Sequence, residues 1–217
     1  MLLLPPAPPA LEAPAPVRPN TLKVAKGQLL EVAFATVKPG KESLLLAEGL
    51  TKMQPLVGRH GGELQGGMRI LAAFADKQAP AFQALQFLRW STEGEAQQAG
   101  QDAELKAMRG EAASGFSEGN LVSAEKAVDV VLEPGVAYAV IVETVENAAW
   151  DRMRGALEGR YKGVARFQAP KGRGPLGLLR FTLLKVGPAE GLDAPNWGRF
   201  LPVPDGGFVA LAVVPKG

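Results

Sequence analysis

The chain contains no cysteine, a single histidine and no long apolar run. Without cysteine there is no disulfide framework, no thiolate nucleophile and no Cys-based zinc or iron–sulfur site. One histidine rules out a His-rich metal cluster. No serine lies in a nucleophile elbow, and His60 has no evident triad partner, which argues against hydrolytic chemistry. No apolar stretch approaches the ~20 residues that span a bilayer. The opening Met1-Leu2-Leu3-Leu4 has no basic region before it and is stopped by Pro5 and Pro6, too soon for a secretory signal. A soluble, cytoplasmic protein with no membrane span is expected. Charge excess is missing as well. The 24 Lys and Arg against 22 Asp and Glu leave a formal +2, and no stretch interleaves basic and aromatic residues, so nucleic acid is not an expected partner. Gly61-Gly62 and Gly66-Gly67 are not a phosphate loop, because neither a Gly-Lys-Ser/Thr nor a strand-to-helix GxGxxG accompanies them.

What remains is 217 residues, 47% hydrophobic and 21% charged, enough for one large domain or two small ones. Residues 1–27 form an arm whose core, PPAPPALEAPAPVRP over 5–19, is extended because proline fixes φ and removes donors. It reads as a solvated spacer, or as a docking arm whose Leu2, Leu3, Leu4 and Leu11 enter a groove on a protein partner or a second copy.

Residues 28–126 follow the order βαββαβ, the ferredoxin-like unit. Leu29–Val37 (LLEVAFATV) is a strand ended by Lys38-Pro39-Gly40. A helix over about 41–57 places Leu46, Leu50, Met53 and Val57 on one face, with Pro55 predicted to kink its last turn or end it early. Strands follow near 63–74 and 82–90. A second helix begins at Ser91 or Thr92, where Thr92 and Glu95 have capping-box spacing, and exposes Ala96, Ala99, Ala103, Met108 and Ala112 as a small-residue face. Residues 119–124 close the unit.

Residues 127–217 repeat the order with losses. Strands are predicted at 138–145, 163–169, 176–186 and 208–214, and a helix at 147–161 with Ala149, Met153 and Leu157 inward. A basic loop, Pro170 to Pro175, joins the middle strands. The second helix is eroded to a Pro-rich segment over 187–205 with room for one turn near Asn196–Phe200. Apolar residues at both parities in FLRW, YAVIV and FVALAVV predict strands buried on both faces.

The runs VKPGKE, MQPLVGRHGGEL and LQFLRWSTEGEAQQA resemble the dimeric α/β-barrel superfamily, which includes antibiotic-biosynthesis-type monooxygenases and families of unknown function. The likeness covers roughly residues 29–125. It implies an α+β fold: tandem ferredoxin-like repeats closing face to face as a single-chain dimeric α/β-barrel, the second repeat degenerate. It further implies a small-molecule-binding protein for a small apolar or aromatic ligand, with cofactor-independent oxygenation or isomerisation as the kind of reaction. No cofactor and no metal are expected. Haem ligation like that of the chlorite-dismutase relatives would have to use His60, which lies in the wrong repeat. Whether the chain is an enzyme stays open. The alternative is a non-catalytic assembly protein that docks partners through its arm and the 187–205 segment.

The candidate ligand-binding residues are Glu31, His60, Arg89, Trp90 and Glu143. His60 follows a helix stop, where its cation could cap the last carbonyls or serve as a pocket acid–base group. Arg89 and Trp90 end a strand at a helix N-terminus, placed to grip a carboxylate or stack a flat ring, or else a solvated Arg beside a core Trp. Glu31 and Glu143 lie on the first strand of each repeat and could face the space between sheet and helices as carboxylate bases, or simply face solvent. Trp150 is expected at a core edge, with Arg152 and Arg154 solvated.

Overall fold

The computed structural model describes residues 20–46, 48–124, 126–146, 148–197, 203 and 206–216. Within its elements, the side chains of Glu48, Leu50, residues 148–150, Arg152, Met153, Ala156 and residues 170–173 are not among those described. The N-terminal arm through residue 19, with its predicted docking role, lies outside the described residues. So do the inward placements of Leu50, Ala149 and Met153 and the expected positions of Trp150 and Arg152.

The chain runs β1 (Thr21–Val24), β2 (Leu29–Val37), α1 (Glu42–Leu46), α2 (Glu48–Arg59), β3 (Glu63–Phe74), β4 (Ala84–Trp90), α3 (Glu93–Gln101), α4 (Ala103–Ala112), β5 (Ala113–Ser117), β6 (Leu121–Ala124) and β7 (Val128–Val131). It continues with β8 (Val136–Glu143), α5 (Ala148–Arg160), β9 (Lys162–Arg173), β10 (Leu178–Pro188), α6 (Ala194–Trp197) and β11 (Gly207–Val213). The strands close into an antiparallel barrel in the order β4-β3-β11-β8-β10-β9-β6-β2, with β2 returning to β4. β5 pairs with β2 beyond β6, so residues 113–124 act as one interrupted strand. Closure leaves the barrel strands without open edges.

Each half has the same local order. In the first, β5/β6 lies beside β2, then β4, then β3; in the second, β11 lies beside β8, then β10, then β9. The seams are β3–β11 and β6–β9. Strand parity decides what each face holds. On β2, Leu30, Val32 and Phe34 point into the barrel, while Ala33 and Ala35 meet the helices. On β8, Tyr138, Val140 and Val142 point in, and Ala139 and Ile141 point out. Burial at both parities is what the sequence pattern predicted.

The barrel interior is filled rather than hollow. Phe34, Phe87, Phe167, Phe181 and Phe208 occupy it, with Phe87 and Phe181 edge-on at 5.9 Å between ring centres and Phe34 and Phe208 at 5.4 Å. Such pairs add about 0.5–1.5 kcal/mol beyond area burial. The β1–β7 ribbon, which the sequence pattern does not predict, sends Leu22 and Val24 into this core. Asn20 and Gln65 pin it: Asn20 Oδ1 accepts from Gly67 N at 3.0 Å, and Gln65 Oε1 accepts from Lys23 N at 2.6 Å. Any Cβ at Gly66 would lie 2.2 Å from Asn20 Oδ1, so that position is glycine by necessity.

Three local expectations change. Helix α2 passes through Pro55 to Arg59, because burial of Met53, Leu56 and Val57 holds the turns on either side. The helix after Thr92 breaks at Asp102, whose carboxylate caps α4 through Glu104 N and Leu105 N. The predicted basic loop is instead strand, since β9 runs to Arg173 and the turn falls at 174–177. The eroded second helix of the second half is α6, a single turn as read, at Ala194–Trp197. The Thr92–Glu95 capping box forms as read.

Candidate functional site

The outer face of β2 and β4 and the helices over it enclose a mostly apolar layer of Ala33, Met53, Leu56, Val57, Leu88, Trp90, Ala99, Leu105 and Leu121. Three buried polar side chains lie within or beside it. Glu31 is the first: it accepts from Trp90 Nε1 at 2.9 Å and from Gly119 N at 2.9 Å. Both carboxylate oxygens are therefore engaged, and Glu31 clamps the indole and the 118–120 loop. Trp90 in turn presses on Gly62, where an added Cβ would come within 2.2 Å of the ring. The Gly-Gly after α2 is thus a packing requirement as well as a helix stop.

Gln86 and Arg109 are the others. Gln86, fully buried and paired across the sheet with Ala33, donates from Nε2 to the Leu45 carbonyl at 2.9 Å and leaves Oε1 without a partner. Arg109 follows Leu105 by one turn on the inward face of α4 and is 4% exposed. Its Nη1 meets Glu118 at 2.8 Å, its guanidinium lies 5.3 Å over the Phe116 ring, and Nε and Nη2 have no partner. Buried donors without partners cost about 1–3 kcal/mol each. Asn120 orders the adjoining loop, donating to Val32 O at 3.2 Å and Ser117 O at 2.8 Å while accepting from Leu176 N at 3.2 Å.

Glu143 sits in the other half, 1% exposed, and accepts from Arg154 Nη1 at 2.8 and 3.1 Å. Arg154 Nη2 donates to Asp151 at 2.8 Å, and Arg180 bridges Asp151 at 2.8 Å. Burial alone would lower the Arg154 pKa, but hydrogen bonding and attraction from Glu143 outweigh it, and the net shift is upward. The solvated Arg154 read from sequence is corrected: it is a buried ion-pair partner, because it and Arg180 compensate a carboxylate pointing under α5.

His60 is engaged by the carboxylate that caps α4. Its Nε2 meets Asp102 Oδ2 at 2.8 Å, tying the end of α2 to the cap of α4. The hydrogen bond to His60, followed by backbone donors, holds the Asp102 carboxyl below its usual range. Arg89 is neither a free pocket-edge group nor solvated: it pairs with Glu63 and reaches the Lys23 carbonyl. Of the five predicted residues, then, only Glu31 and Trp90 converge. Sequence reasoning missed Gln86 and Arg109. Gln86 was the detectable one, as the only polar residue between Ala84 and Leu88 in an otherwise apolar strand. Arg109, one turn from Leu105, fell outside the alanine face assumed for that helix.

Two open surface grooves also occur, of about 610 Å³ beside Arg69, Leu71, Leu192 and Lys216 and about 510 Å³ beside Lys38, Glu42 and Gln83. Among the described residues, no acidic or His cluster could hold a metal ion, and no helix is long and apolar enough to cross a membrane.

No family model and no curated protein matches the chain. Among solved structures it is similar to a "putative monooxygenase" of Fusobacterium nucleatum subsp. nucleatum, with 13% identity, TM-score 0.44, and coverage of 88% of this chain and 94% of the other. A second, a "putative monooxygenase" of Lactobacillus acidophilus, gives 9% identity, TM-score 0.39 and coverage of 87% and 94%. At these scores the likeness is one of general outline and carries neither a family nor an activity.

Proposed function

We propose that this chain is a small-molecule-binding α/β-barrel protein whose ligand lies between the first-half sheet and its helices. The observation that carries this reading is the presence of Gln86 and Arg109, both buried with unpartnered polar atoms, beside an apolar layer. Pockets for small molecules combine apolar walls with a few convergent polar groups. The shared strand order of the two halves supports a tandem pair of ferredoxin-like units in one chain, with the second degenerate. Cofactor-independent oxygenation or isomerisation is the reaction class to assay first, since it asks the protein mainly to hold a flat, already reactive substrate. Assembly through an apolar patch has less support: among the described residues, Val131 and Val145 are the exposed large hydrophobics, on separate segments.

Native mass spectrometry of the purified chain tests this. A retained small molecule, one per chain and lost on unfolding, is expected. Bare chain mass, together with no thermal shift across a panel of neutral, anionic and cationic small molecules, would overturn it.

A further inference from the structure

Resting on that reading, we propose that Arg109 is the recognition group of the site and that its ligand carries a carboxylate. A guanidinium presents its N–H groups in a fixed planar fork, and the edge formed by Nε and Nη2 matches the two oxygens of a carboxylate. In Arg109 this edge is the free one. Nη1 alone is spent, on Glu118, while Nε and Nη2 are buried and unpartnered. The guanidinium carbon lies 5.3 Å over the Phe116 ring, a cation–π contact that helps hold the group in place.

Position agrees with this assignment. Phe116 pairs with Ala35 across the sheet, and Ala35 pairs with Ala84, so the row beside Phe116 is built of small side chains, over which Leu45, Leu46 and Ala112 pack. Gln86 stands two residues along β4 from Ala84 on the same face, with its carbonyl oxygen free. An apolar molecule bearing a carboxylate at one end and a hydroxyl or N–H donor at the other meets both unmet requirements. The ligand class is a small hydroxylated or amino-substituted aromatic carboxylate. Glu118, the partner of Nη1, is 30% exposed in its side chain, so this end of the layer lies near the surface.

The second half supplies the contrast that makes the open fork informative. Arg154 is also buried under a helix and its Nε also lacks a partner, but its Nη1 and Nη2 are taken by Glu143 and Asp151 of the same chain, so it has no free Nε–Nη2 edge. Where the protein needs an arginine only to hold a helix, it provides the carboxylates itself.

The test titrates the full chain with benzoate, 4-hydroxybenzoate, benzamide and benzylamine by calorimetry, and follows arginine Nε–H resonances by NMR. Benzoate is expected to bind and to move the Arg109 Nε–H signal, 4-hydroxybenzoate to bind more tightly, and benzamide and benzylamine to bind at least about tenfold more weakly. R109K keeps the charge but loses the fork, and should weaken benzoate by at least about tenfold. Equal binding of the acid and the amide, unchanged affinity in R109K, or an Arg109 signal unmoved by both carboxylates would overturn the assignment. The NMR measurement on the unaltered chain decides the matter even if R109K fails to fold. A neutral molecule retained in native mass spectrometry, with no response to carboxylates, would sink this assignment while leaving the small-molecule reading intact.

Discussion

Arg109 and Arg154 occupy comparable situations, each on a helix covering one half of the barrel and each less than a tenth exposed, yet the chain treats them oppositely. Arg154 pairs with Glu143 and Asp151 through both Nη groups, leaving only Nε without a partner, and fastens α5 to the sheet. Arg109 is left with its better binding edge empty above an aromatic ring. The helices themselves differ in the same sense. Those of the first half dock through Met53, Leu56, Val57 and Leu105. On α5, among the described residues, Leu157 is the buried apolar one, and ion pairs supply the other attachment. One strand order therefore supports two ways of holding a cover, one by apolar burial with an open guanidinium edge and one by charge pairing through both Nη groups.

Removing the apolar anchor should have the largest effect. W90A deletes a fully buried indole and strips Glu31 of a donor, and is expected to cost about 3–5 kcal/mol by urea unfolding. A loss below about 1 kcal/mol would mean that the first-half helices are not held by this layer. The two arginines should then separate cleanly. R154M leaves Glu143 buried with only Arg180 nearby, at 3.5 Å, and should cost about 3 kcal/mol. R109M removes two unmet donors and leaves Glu118 able to reach water, so its stability should change by less than about 1 kcal/mol. Equal losses in the two variants would break the comparison.

G62A drives a methyl group into the Trp90 ring and should cost about 1–3 kcal/mol. Acid response gives the smallest effect. The Asp102 carboxyl is depressed by its bond to His60 and by backbone donors, so its contribution is present above the ordinary Asp pKa, near pH 4, and fades as pH falls through the lower folded value. Unfolding midpoints measured from pH 6 down to pH 2 should fall less steeply in H60A than in the unaltered chain. Parallel slopes would show that the His60–Asp102 bond carries no such linkage.

Much of the barrel was legible because its strands are apolar at both parities, and the Thr92–Glu95 spacing narrowed one helix start to Ser91 or Thr92. Three features escaped for physical reasons. The β1–β7 ribbon is two four-residue strands, too short for alternation to stand out. Asp102 ends one helix and caps the next with a single side chain, and a carboxylate in a helical stretch is locally indistinguishable from a solvated one. The burial of Glu143, Arg154 and Arg109 depends on partners brought by the fold, and charge at those positions reads as surface until the partner is known. Glu31 and Trp90 were found because strand ends draw attention, whereas Arg109 sits mid-helix.

Methionine methyl NMR offers the most direct test of where the ligand lies. Met53 and Met108 line the first-half layer, and Met68 is sealed inside the barrel. With methyl-labelled methionine and saturating 4-hydroxybenzoate, the Met108 signal should move, Met53 less so, and Met68 should stay in place. A shift at Met68 with Met53 and Met108 unmoved would put the ligand inside the barrel and contradict the account.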